Sequence, residues 1–211
     1  MRISLQRWRE YLTWRLIITF GLAYVCMWLF SKLQKGIAND YLIVRFDLQL
    51  ANALHNAATP PGTTLFRVIS FLGYEVAWGV TLLIALYFVF KRENWKAGLW
   101  LLGTVMGEIL NFALKNLYDR PRPVFVEPLV IATYASFPSG HAMKSLIVYG
   151  LLAYFLIIST TNLRLRIVIV FATTLLIVLV GISRLYLGVH YFSDVVGGFA
   201  VGGIWLTACI V

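Results

Sequence analysis

The sequence predicts an all-α protein, a bundle of six membrane-crossing helices. Three observations predict it. Of its 211 residues, 60% are apolar and 13% charged, where a soluble domain averages about 45–50% and about 25%. Mean hydropathy is +0.81, so the excess runs through the chain rather than through one tail. The apolar residues also gather into six runs near the length, about 20 residues, that a bilayer core requires. These features exclude a disordered chain, a disulfide-rich secreted scaffold and an ordinary cytosolic enzyme. The length suits a single domain over 1–211, with no internal repeat or low-complexity stretch.

The elements follow in order. The first span runs from Trp14 to Phe30, behind Arg2, Arg7 and Arg9. That pattern resembles a signal peptide, but no small-residue cleavage site follows, so it reads as an uncleaved span. Next, Ile43, Phe46, Leu50 and Leu54 recur at helical spacing while Asp47, Gln49, Asn52 and Asn56 fill the other faces. This reads as an amphipathic helix on the outer interface, ended by Pro60, Pro61 and Gly62. It is either a connector covering the bundle or a substrate-guiding lid. His55 on it reads as a solvated surface residue. The remaining spans run Gly73–Phe90, Trp95–Leu114, Gly140–Ile158, Ile167–Leu187 and Ser193–Val211. Cys26 and Cys209 lie inside apolar runs and read as packing residues rather than a disulfide or metal pair.

The charge needs a separate account. Eighteen Lys+Arg against nine Asp+Glu give +9, a balance that suits nucleic acid, anionic lipid or a phosphate-bearing ligand. Nucleic-acid binders carry their charge on solvated surface, and this chain has little. Topology explains one part. Arg2, Arg7, Arg9, Lys91, Arg92, Lys96, Arg164 and Arg166 fall in one set of loops, which the positive-inside rule makes cytoplasmic, with both termini inside. Lys32, Lys35 and Arg45 on the other side weaken the bias. Lys115, Arg120 and Arg122 break it, so cations on that side require another reason.

That reason lies in three polar clusters at the outer ends of spans three to six. In Pro138-Ser139-Gly140-His141, Ser139 and Gly140 precede a long apolar helix. The first turn of such a helix offers free N–H groups and a partial positive charge, a ready anion site, and His141 sits in that turn. Alone, the cluster fits a capped helix with an interfacial histidine better than a functional site. In Ser183-Arg184…His190…Asp194, a helix beginning near Tyr191 lets Asp194 face His190 across one turn. A carboxylate on one ring nitrogen leaves the other free to attack; the rival reading is an Arg184–Asp194 salt bridge. In the first cluster Lys115 ends span three and Arg122 follows between Pro121 and Pro123. Lipid snorkelling would explain Lys115 or Arg120 singly, but not a face shared with both histidines. Two His, one Asp, one Lys, two Arg and a helix N-terminus, without a ligand set for metal, suit phosphoryl transfer, with one His as nucleophile and the other as acid.

The spacing Lys, six residues, Arg-Pro, then Pro-Ser-Gly-His, then Ser-Arg, five residues, His, three residues, Asp resembles the type 2 phosphatidic acid phosphatase family, whose superfamily also holds soluble acid phosphatases and vanadium haloperoxidases. The resemblance covers Lys115 to Asp194, and the remaining spans fit the membrane branch. It implies a metal-independent lipid phosphatase at the outer face of the cell membrane, without cofactor or nucleic-acid partner. Its substrate would be undecaprenyl pyrophosphate, phosphatidylglycerophosphate or phosphatidic acid. It also implies His190 as nucleophile through a phosphohistidine, Asp194 as its orienter and His141 as leaving-group acid. Lys115, Arg122 and Arg184 would hold phosphate oxygens, with Ser139 and Gly140 assisting. The alternatives are a lipid-phosphate binding or transport protein without turnover, and a vanadate-dependent haloperoxidase. Arg120 and Lys144 stand outside the motif positions as candidates for headgroup contact. Glu75 and Glu108 are intramembrane acids; Glu108, Asn111 and Lys115 share a helical face that reads as a hydrogen-bond ladder toward the site.

Overall fold

The computed structural model describes residues 5–39 and 41–211; Arg2 lies outside them, as do the side chains of Arg7 and Arg9. Eight helices follow in order: α1 (Leu5–Asn39), α2 (Tyr41–Asn56), α3 (Pro60–Gly73), α4 (Glu75–Phe90), α5 (Asn94–Tyr118), α6 (Gly140–Ile158), α7 (Leu163–Tyr186) and α8 (Phe192–Ile210). No strand occurs among the described residues. Six stretches are long and apolar enough to cross a membrane: Leu16–Asn39, Pro60–Phe90, Asn94–Tyr118, Gly140–Ile158, Leu163–Tyr186 and Phe192–Ile210.

Two boundaries differ from the sequence reading by more than four residues. The first apolar stretch continues to Asn39, past the expected end at Phe30. The second begins at Pro60 rather than Gly73, because α3 and α4 together make one stretch, broken only at Tyr74 (φ −131°, ψ −64°). Thr63, Thr64 and Arg67 interrupt the apolar run locally and hide its start. The Pro-Pro-Gly segment, read as a terminator, opens α3 instead. Proline lacks an N–H that the first turn does not use, and the Thr59 hydroxyl accepts a hydrogen bond from the Gly62 N–H at 3.3 Å. On α2 the inward face also differs: Asp47 and Ala51 are buried while Phe46 is half exposed.

Helix α6 is the hub, packed against α3, α4, α5, α7 and α8. Its Met143, Ile147, Val148, Leu151 and Phe155 form the core with Trp100 of α5 and Ala77 of α4. Between apolar helices in lipid, association rests on close packing and interhelical hydrogen bonds rather than on water exclusion. Trp100 Nε1–H donates to the Thr81 carbonyl at 2.9 Å, and Trp205 Nε1–H to the Gly103 carbonyl at 2.7 Å. The α6–α8 contact is closest at Gly198, where an added Cβ would lie 2.5 Å from the Ser139 carbonyl oxygen and 3.1 Å from Ala142 Cβ. At the same crossing the Ser139 N–H donates to the Asp194 carbonyl at 2.9 Å. This contact brings the start of α6 to the start of α8. The C-terminal ends of α5 and α7 meet there too, while Lys91, Arg92, Arg164 and Arg166 sit at the opposite end of the bundle.

Gly198→Ala forces backbone apart at this crossing and is expected to destabilise the fold by about 1–3 kcal/mol, the range for overpacked sites. A lower melting temperature in detergent checks it, against a Gly21→Ala control, where an added Cβ meets nothing within 4 Å.

Candidate active site

At the end of the bundle where α5 and α7 finish and α6 and α8 begin lies a cavity of about 1000 Å³. Lys115 from α5, Gly140 and His141 from the first turn of α6, Arg184 from α7, Arg122 from the α5–α6 loop and His190 from the α7–α8 turn all line it. Six of the eight predicted site residues thus share one space. The other two stand behind it. Asp194 and Ser139 are both 0% exposed, and neither lines the cavity. The Ser139 hydroxyl makes no cap bond and has no hydrogen-bond partner among the described residues; it is the Ser139 N–H that matters, through its bond to the Asp194 carbonyl.

Each cation is aimed by neutral acceptors. Lys115 donates to the Ala135 carbonyl. Arg122 donates from Nε to the Tyr134 carbonyl at 2.6 Å and from Nη1 to the Val189 carbonyl at 2.6 Å. Arg184 donates to the Ser70 hydroxyl, and its Nε has no partner among the described residues. None of the three forms a salt bridge among those residues. Carbonyls and a hydroxyl carry only partial charge, so the three cations converge on one cavity with no carboxylate in direct ion pair with any of them, while Glu75 and Glu108 line the same cavity. The rival reading of an Arg184–Asp194 bridge is not realised among the described residues.

His190 is held at both ring nitrogens. Nε2 lies 3.4 Å from Arg122 Nη1, on the cavity side, and Nδ1 lies 3.6 Å from Asp194 Oδ2. The sequence pairing of His190 with Asp194 omitted Ser136. The Ser136 hydroxyl donates to Asp194 Oδ2 and stands 3.4 Å from His190 Nδ1. Asp194 Oδ2 also accepts the Tyr191 N–H at 2.8 Å, which caps α8. Burial holds His190 far below the ordinary histidine range, at about 3, against the opposing pull of Asp194. The ring is therefore neutral at neutral pH.

Arg120, a candidate for headgroup contact, has a different place. It does not reach the cavity; it is buried beside Asp194. Nη1 donates to Asp194 Oδ1 at 2.6 Å and to the Ser193 hydroxyl at 2.7 Å, and Nη2 to Asp47 Oδ2 at 2.8 Å. Asp47 also accepts the Ser193 N–H at 3.0 Å. Burial lowers the Arg120 pKa, but Asp194 and Asp47 outweigh it and leave the guanidinium more firmly charged than usual. The Tyr191 ring covers it, with Arg120 Cζ 4.4 Å from the ring centroid. Asp47 was read as a solvated residue of an amphipathic helix, and only its position opposite Arg120 reveals its role. Lys144 also stays off the cavity, paired with Glu108 at 3.0 Å. Glu108, Asn111 and Lys115 form no ladder: Asn111 donates to the Pro138 carbonyl at 3.3 Å and each residue finds its own partner. Glu75, Tyr74 and Ser70 line the cavity. His55 is not freely solvated, since its ring stacks on Phe125 with centroids 3.9 Å apart. Arg67 of α3 anchors the cavity wall by donating to the Leu129 carbonyl at 2.6 Å.

These features define a multi-pass membrane protein with a cationic cavity beside two histidines. The PAP2 superfamily matches residues 95–211, and the chain belongs to that superfamily. It is 44% identical over 115 residues to phosphatidylglycerophosphatase B of Bacillus subtilis (strain 168), covering 54% of this chain and 56% of that one. The match thus spans about half the length of that relative. It is 30% identical over 212 residues to the undecaprenyl-diphosphatase of Sulfolobus acidocaldarius, covering 94% of this chain and 89% of the other. The crystal structure of a transmembrane PAP2 type phosphatidylglycerolphosphate phosphatase from Bacillus subtilis superposes with a TM-score of 0.82 at 31% identity, over 89% of this chain and 94% of that one. These relatives are named as phosphatases, that is, hydrolases of phosphoric esters or diphosphates.

Two outcomes are expected. Arg120→Ala leaves Asp47 and Asp194 buried without their cation. Breaking a buried pair in this way costs about 3–5 kcal/mol, read as a large drop in melting temperature. His190 also makes stability depend on pH. Its folded value lies near 3 and its ordinary value is 6.5, so between those limits the unfolded chain binds a proton that the folded chain refuses. This contribution is complete above about pH 6.5 and lost as pH falls toward 3. Melting curves across that window should be steeper in pH for the wild type than for His190→Asn.

Proposed function

We propose that the chain is a metal-independent integral membrane lipid phosphatase acting on a phosphate monoester or diphosphate at the extracytoplasmic face. The observation that carries this reading is the convergence of Lys115, Arg122 and Arg184, none with a carboxylate partner, on the cavity that holds His190. Charge stabilisation on equatorial oxygens is the main task of a phosphoryl-transfer site, and these cations supply it. Among the described residues no group of three His, Cys, Asp or Glu side chains is arranged to hold a metal. The names of the relatives support phosphatidylglycerophosphate and undecaprenyl diphosphate as substrate classes; phosphatidic acid remains a third candidate. The distribution of Lys and Arg supports cytoplasmic termini.

In this reading the lipid enters from the bilayer, its phosphate seats among the three cations, and the N–H groups at the start of α6 assist at Gly140. His190 Nδ1 faces Asp194, so Nε2 is the attacking nitrogen. It forms a P–N bond as the bond from phosphorus to the leaving oxygen breaks, and the phosphohistidine carries the phosphoryl group. Asp194, held by Arg120, Ser136 and Tyr191, stabilises the imidazolium. His141 gives its proton to the leaving oxygen. Water then attacks phosphorus, His141 takes the proton, the P–N bond breaks and phosphate leaves.

His190→Ala is expected to abolish phosphate release from a panel of phosphatidylglycerophosphate, undecaprenyl diphosphate and phosphatidic acid in detergent. Vanadate should inhibit the wild type and a chelator should not. Quenching in alkaline detergent during turnover should trap a base-stable, acid-labile phosphoryl group on the wild type and none on His190→Ala. Strong inhibition by the chelator would overturn the metal-independent mechanism.

A further inference from the structure

We propose that Tyr74, Glu108 and Lys144 form a cage that positions the His141 ring, an inference that rests on the reading of His141 as the leaving-group acid. The starting point is a contrast between the two histidines. His190 is held at Nδ1 and at Nε2. Neither ring nitrogen of His141 has a hydrogen-bond partner among the described residues; the contact that defines its ring is stacking on Tyr74, with centroids 4.9 Å apart and planes 25° from parallel. An acid that must meet a leaving oxygen gains from free ring nitrogens, but then its orientation has to come from packing.

Tyr74 supplies that packing, and its own place is set on two sides. Its hydroxyl donates to Glu108 Oε1 at 2.9 Å. The Lys144 ammonium lies 3.5 Å from its ring centroid and 3.9 Å from that of Trp78. The same ammonium pairs with Glu108 Oε2 at 3.0 Å, so the two carboxylate oxygens tie lysine and tyrosine together. Lys144 stands three residues beyond His141 on α6, on the same helical face, and its side chain is 4% exposed. A buried lysine inside a membrane span is costly and calls for a specific use. The cage ties together Tyr74 at the α3–α4 break, Glu108 on α5 and Lys144 on α6, and none of its members belongs to the three motifs. Arg184, Arg122, His190 and Glu75 line the same cavity from the other elements and lie outside the cage.

The test separates positioning from general support. An acid matters for a poor leaving group such as the alcohol of phosphatidic acid, and little for p-nitrophenyl phosphate. Lys144→Met, Glu108→Gln and Tyr74→Leu are each expected to lower kcat on phosphatidic acid by about ten- to hundredfold, part of the range ascribed to acid catalysis. The same variants should change kcat on p-nitrophenyl phosphate less than about threefold, with KM nearly unchanged on both. Tyr74→Phe keeps the ring and should retain more activity than Tyr74→Leu. In a His141→Ala background Lys144→Met should have no further effect. Equal losses on both substrates, or an effect confined to KM, would overturn the proposal in favour of structural support or headgroup contact. A wild type that releases phosphate from neither p-nitrophenyl phosphate nor any of the three lipids of the panel overturns the phosphatase reading itself, and the cage with it.

Discussion

Arg120 sits between two carboxylates that reach it from different helices, Asp47 on α2 and Asp194 on α8. The arrangement constrains most of the site. Two buried acids and one buried base leave a net negative charge inside the protein, tolerable only because every oxygen has a donor. Ser193, Ser136 and the Tyr191 N–H supply the remaining hydrogen bonds. The consequence is a fixed Asp194, and through it a fixed His190. The consequence for the fold is that α2, the α5–α6 loop and the start of α8 are pinned at one point. An apolar bundle in lipid has few directional contacts of its own, so a satisfied polar network of this kind specifies its geometry.

The basic residues at this end of the bundle divide by their partners. Arg120 and Lys144 each face carboxylates and are spent on architecture. Lys115, Arg122 and Arg184 rest on carbonyls and a hydroxyl, which aim a charge without neutralising it. A cation aimed in this way keeps its attraction for an anion. The same distinction separates the histidines: one is gripped at both nitrogens, the other is stacked and leaves its nitrogens free. In the proposed mechanism nucleophile and acid call for these different mountings, because the nucleophile needs one tautomer while the acid must meet an oxygen that moves.

Much of this was legible in the sequence. Apolar runs of about 20 residues announce the spans, and their mutual register followed from polar clusters recurring at alternate ends. The three motif clusters put Lys115, Arg122, His141, Arg184 and His190 on one membrane face, because each stands at or beside the end of a long helix; the packing of those helices gathers them around one cavity. The misses have physical causes. Ser136 and Asp47 belong to no periodic pattern near the site; each acts across more than 50 positions of chain. The start of α3 was hidden because Thr63, Thr64 and Arg67 interrupt its apolar run, and Asp47 was assigned to the wrong face because Ile43, Phe46, Leu50 and Leu54 mark a stripe beside the buried one rather than the buried one itself.

The sequence by itself therefore determined the compartment, the number of spans and the set of groups gathered at one end. These depend on hydropathy and on helix ends, which are local properties. Only the tertiary structure decided which cations are neutralised and which remain available. Arg120 and Arg122 are two residues apart, each followed by proline; the motif spacing singles out Arg122, but no local property gives the reason. Asp47 on one helix and Asp194 on another claim the first. The second meets only carbonyls and His190. Pairing is a property of whatever lies across the gap, and the gap exists only once the helices have packed.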